Sequence, residues 1–194
     1  MNNYEYIIAS LPALDAARAS DKSQFDAQET IAQIRGQLDE RDAKVLDFVL
    51  SFYGPDGPDG EFYAEAFKSR NAFVREYFKF DLGVRNAKVE YLNKALGRPE
   101  GKDALPLLEE EFEQKAKADE ILSGTDILAR ERGLDDLMWS CAEELTVMHV
   151  FDLDVILAFV VRLKTIERWM RLDDRTGREM FRKLVDELRN SKNI

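Results

Sequence analysis

Phe80-Asp81-Leu82-Gly83-Val84 opens one long apolar segment of the chain, and Phe151-Asp152-Leu153-Asp154-Val155 opens another 71 residues later. Each phrase leads into roughly four turns of helix-like sequence that close on basic residues. A near-repeat at that distance points to two copies of one helical unit. Only 5 Pro and 10 Gly in 194 residues leave few places where such helices can stop. No segment alternates apolar and polar residues long enough to read as a strand. The pattern predicts a single all-α domain, a bundle of about six to seven helices in two related units. The units divide near residue 98. Residues 4–11 are short and apolar before Pro12, and fit either a small extended element or a helical turn.

The spacing predicts helices over about 24–38, from Asp39 to about Tyr53, and over 61–96, 107–122, 134–150, 154–171 and 176–190. Asp39 is placed to cap the second of these, and Gly97 to end the third. Gly54-Pro55-Asp56-Gly57-Pro58-Asp59-Gly60 doubles a Pro-Asp-Gly turn and reads as a connector. Val155–Val161 is apolar on every side, which predicts a central, covered helix. The helix before it is expected to run on into it through Asp152.

The net charge is −10. Such a surface lacks the positive footprint that nucleic acid needs, and anionic lipid should repel it. The charge is uneven. Residues 100–126 carry nine acidic and three basic groups, whereas 162–192 carry ten basic and six acidic. These are solvated helix faces, or two poles for partners of opposite charge. Cys141 is the one cysteine, so no disulfide can form within the chain, and its apolar neighbours predict a small buried hydrophobe. Residues 1–14 contain Glu5 and no basic cluster, which argues against a signal peptide. The longest apolar run, Val155–Val161, is seven residues, far from the roughly 20 of a membrane span. The expectation is a reduced, cytoplasmic protein with no direct membrane insertion.

Catalytic chemistry finds little footing. A carboxylate-bridged metal site in a bundle needs Glu and His three apart, twice, and His149 is the single histidine. Glu144, five positions earlier, points roughly 140° away on a helix. Nothing in the spacing joins His149 to Cys141 as base and nucleophile, and no phosphate-cradling glycine loop is present. Asp81, Asp152 and Asp154 stand where an aspartate accepts backbone N–H bonds at a helix start. That role explains them, and contact with a partner is the other reading.

Tyr4-Glu5-Tyr6-Ile7-Ile8-Ala9-Ser10-Leu11-Pro12-Ala13-Leu14 resembles the opening of an uncharacterised bacterial family whose genes usually lie among those of V/A-type ATP synthase subunits. The aromatic segment through Phe80-Asp81-Leu82, then Arg85-Asn86, and the block Phe151–Val155 resemble the same family. A second likeness is to the C-type (or d-type) protein of the central stalk of these rotary ATPases. That protein repeats a helical unit opening approximately Asp-Val-x-Asn-Leu-Lys. Gly83-Val84-Arg85-Asn86-Ala87-Lys88 keeps Val, Asn and Lys but has Gly for Asp. Asp154-Val155-Ile156-Leu157 keeps Asp and Val but has Leu for Asn, with Arg162 and Lys164 closing the helix. The resemblance implies a non-catalytic accessory or C-like subunit without cofactor or metal, peripheral to a proton-transporting complex. Its partners would be V/A-type ATPase subunits of the rotor stalk or soluble sector. The partner-binding candidates are Asp81, Arg85, Asn86, Asp152, Asp154, Arg162 and Lys164. Two further readings stand beside it: a free-standing helical adaptor or assembly factor, and a carboxylate-bridged metalloenzyme.

Overall fold

The computed structural model describes residues 4–14 and 26–171. Within them lie eight helices: α1 (Glu5–Ser10), α2 (Ala27–Gln37), α3 (Glu40–Ser51), α4 (Gly60–Phe67), α5 (Ala72–Leu96), α6 (Lys115–Ser123), α7 (Ile127–Glu144) and α8 (Leu153–Arg171). The all-α expectation holds. The helix expected over 176–190 lies outside the described residues.

α8 sits at the centre, against α2, α3, α5 and α7. The reason is in its sequence. Ile156, Leu157, Ala158, Phe159, Val160 and Val161 are six consecutive buried residues, so every face must be covered. Each large one stabilises the fold by about 1.5–3 kcal/mol when fully buried. α5 is the second spine and packs on α4, α6, α7 and α8. Phe48, Phe52, Phe62 and Phe78 interlock where α3, α4 and α5 meet, with Phe48 and Phe62 stacked 4.8 Å apart.

The ends follow local chemistry. Asp39 accepts from the Asp42 N–H at 2.8 Å, as its position predicts. Asp26, Asp59, Asn71 and Asp126 cap α2, α4, α5 and α7 in the same way. Gly97 ends α5 in the left-handed conformation, φ 62°.

Several expectations are corrected. The N-terminal piece, open between an extended element and a helical turn, takes the helical form, α1, with Ile7 buried. The span 61–96 is two helices, because Asn71 turns its side chain to the Val74 N–H and starts a new one. Aromatic spacing continues across the break and disguises it. Residues 107–114 are irregular rather than helical. Leu108 and Phe112 still face the core. Gly133 lies inside α7, which starts at Ile127 and stops at Glu144, so α7 and α8 are separate helices. The two Phe-Asp-Leu phrases also differ in place. Phe80–Leu82 lies in the interior of α5, whereas Phe151–Leu153 straddles the start of α8.

Residues 107–114 reach the core through one close approach. The Phe112 ring lies over Gly83, and a Cβ there would come within 2.3 Å of it. Gly83→Ala should therefore cost about 1–3 kcal/mol by forcing the ring away, despite alanine's better helix propensity. Gly36 in α2 has nothing within 4 Å of its would-be Cβ. Gly36→Ala should gain about 0.5–1 kcal/mol. Urea unfolding followed by circular dichroism checks both, and a stabilised Gly83→Ala variant would contradict the contact.

Candidate partner-binding surface

Between α7 and α8 runs a link, residues 145–152, that displays apolar side chains to solvent. Val147, Met148, Val150 and Phe151 are 74%, 89%, 61% and 41% exposed. Tyr6 on α1 is also exposed. Scattered exposed apolar residues need no explanation, but four within five positions are a local concentration.

The link is held rigidly from behind. The Thr146 hydroxyl donates to the Ala142 carbonyl at 2.9 Å, and the His149 N–H to Thr146 O at 2.9 Å. The Tyr4 N–H donates to Phe151 O at 2.7 Å, tying the start of α1 to the link. The Tyr4 hydroxyl donates to Asp42 Oδ2 on α3 at 2.6 Å. His149 Nδ1 lies 2.5 Å from Asp152 Oδ2 and 3.8 Å from Asp154 Oδ2. Asn71 serves two helices: its Oδ1 caps α5, and its Nδ2 donates to Asp154 Oδ1 at 2.5 Å.

Asp152 and Asp154 are both buried. A buried carboxylate needs partners, and these have them. The hydrogen bond that Asp152 accepts from the ring raises the His149 pKa, which favours the charged imidazolium. Burial raises the Asp154 pKa, against the Asn71 hydrogen bond and the His149 charge.

Asp81 sits in a second polar cluster inside the bundle. It accepts from the Tyr63 hydroxyl at 2.5 Å. Burial pushes its carboxyl up to about 6, although the Tyr63 bond and the Arg85 and Arg168 charges favour ionisation. Burial also raises the phenols of Tyr63, Tyr53 and Tyr77.

The other sequence candidates are engaged internally. Arg85 donates to Pro58 O at 3.1 Å. Asn86 makes a two-way bond with the Leu105 backbone at 2.9 and 3.0 Å, which pins the connector after α5. Arg162 pairs with Glu143 at 3.1 Å and lies over the Trp139 ring. Lys164 pairs with Glu167 at 2.8 Å. Asp152 and Asp154 are brought together at one place, completed by His149 and Asn71, which are not among the candidates, while Asp81 and Arg85 meet at Tyr63 inside the bundle. The His-x-x-Asp spacing from 149 to 152 was the available signal for His149; nothing local marked Asn71.

A groove of about 560 Å³ lies between α4, α5, α7 and residues 107–114. Cys141 is in its wall, its thiol pushed up to about 12 by burial, so it is no thiolate at neutral pH. Among the described residues no group of three or more His, Cys, Asp or Glu is placed to hold a metal ion. No described helix is long and apolar enough to cross a membrane.

Residues 106–192 match the model of a family described as protein of unknown function (DUF2764). That stretch contains α6, α7, the link and α8. It also contains Asp152, Asp154, Arg162 and Lys164, while Asp81, Arg85 and Asn86 precede it. No curated protein and no solved structure matches the chain.

The Asp81 carboxyl yields a pH prediction. Its value is about 6 when folded against 3.8 ordinarily, so the native state binds this proton more tightly than the unfolded chain. Its contribution is greatest below pH 3.8 and is lost as pH rises to about 6. Asp81→Asn keeps an acceptor for Tyr63 and removes the charge. The variant should match the wild type near pH 4 and exceed it by about 1–3 kcal/mol at pH 7.5. Denaturant titrations at both pH values check this, and a gap that does not grow with pH contradicts it.

Proposed function

We propose that the protein is a non-catalytic helical subunit that binds other proteins, and that its partners are subunits of a V/A-type ATPase. The observation that carries the binding role is the exposed link Val147–Phe151, held by Thr146, His149 and the Tyr4 backbone. A backbone already held in place loses little further freedom on contact. The ATPase assignment is supported by the sequence resemblance of residues 4–14, 80–86 and 151–155. Two of those stretches contribute directly to the link: Tyr4 anchors it and Phe151 belongs to it. The acidic surface suits partners with basic faces.

Affinity capture from the native cell, read by mass spectrometry, tests both parts. The full-length protein should recover soluble-sector or stalk subunits. Val147→Asp with Met148→Asp, at the most exposed positions, should reduce recovery about tenfold or more. Failure to recover any ATPase subunit would contradict the assignment. Specific recovery of other proteins, lost in the same variant, supports a free-standing adaptor. Recovery untouched by the substitutions removes the link from the binding surface.

A further inference from the structure

The groove beside the link has a composition that selects a partner. Phe67, Phe80, Leu108 and Leu145 give it an apolar lining. Glu109, Glu110, Glu111, Glu113 and Glu144 are exposed along it. None of these five carboxylates has a side-chain hydrogen bond or ion pair with another described residue. Lys79 is the single cation in the lining, and it is paired with Glu76 at 3.4 Å. Six glutamates against one lysine leave a net charge of −5 around an apolar trough.

The volume, about 560 Å³, is in the range of true binding sites, roughly 300–1,000 Å³. A single small cation gains little there, since an exposed carboxylate pair is worth about 0.2–1 kcal/mol. Several cations delivered together gain several such increments. A helix with apolar residues at three- and four-residue spacing, flanked by lysine or arginine, would deliver them while burying its stripe in the trough. Val147 and Met148 follow Leu145 by two and three residues, within about 10 Å along the chain.

We propose that this groove receives a basic amphipathic helix of a partner protein. The proposal rests on the protein being a partner-binding subunit, whichever complex supplies the helix. The irregular backbone of 107–114 is what aligns the glutamates. Held by Phe112 on Gly83, it runs along the trough as a helix of the same sequence would not.

A fluorescent 18-residue peptide of leucine and lysine in amphipathic order serves as the probe, titrated against the full chain by anisotropy. A scrambled peptide of the same composition controls for charge. Glu109→Gln, Glu110→Gln, Glu111→Gln and Glu113→Gln together should weaken binding about tenfold. Glu29→Gln, Glu40→Gln, Asp56→Asn and Glu100→Gln, exposed and elsewhere, remove equal charge and should change it less than about twofold. Equal losses in the two variants, or equal binding of the scrambled peptide, overturn the proposal. So does a photo-crosslinker at position 110 that, without peptide, couples to residues 172–194 or to a second copy. Peptide binding as expected, with no ATPase subunit recovered from cells, leaves the groove standing and removes only the ATPase assignment.

Discussion

The structure depends on one constraint: α8 is apolar on all sides and must be enclosed. Ile156 through Val161 leave no face for water, so α2, α3, α5 and α7 gather round them. Enclosing the helix also draws its polar first turn inward. Asp152 and Asp154 are then buried, and buried carboxylates are costly unless bonded. His149, Asn71 and the Val155 N–H supply the bonds. Because His149 comes from the link and Asn71 from the cap of α5, stabilising the centre also fixes the geometry of the edge. The exposed side chains of Val147, Met148, Val150 and Phe151 are the outward face of that same network.

Arg85, Asn86, Arg162 and Lys164 are bound to carbonyls, carboxylates and a ring of the bundle. Tyr4 joins three elements by giving its amide to the link and its hydroxyl to α3. Among the described residues, apolar side chains stand exposed on the link and carboxylates line the groove. Such features recognise protein by shape and charge.

Much of this was legible in the residues. The seven-residue run at Val155–Val161 located the central helix, and Asp39 and Gly97 marked helix ends by their own chemistry. Cys141 is buried as its neighbours foretold. The missed features are tertiary. The break at Asn71 is hidden because Tyr63, Phe67, Val74 and Tyr77 keep helical spacing on both sides of it. The stretch 107–114 has good helix formers, yet Phe112 is drawn onto Gly83, 29 positions away in sequence. The helix expected over 134–150 stops at Glu144, and Val147, Met148, Val150 and Phe151 stand exposed in the link that follows. Asp81 and Asp152 share a phrase and not a role, one a half-buried acceptor within α5, the other a bonded residue before α8.

Native-state amide hydrogen exchange of the full-length chain tests the central constraint most directly. If α8 organises the bundle, amides over 156–163 should exchange only through global unfolding, with the same free energy as denaturant unfolding and more slowly than those of α2, α3 or α7. Exchange there through a smaller local opening, faster than in the surrounding helices, would contradict the account.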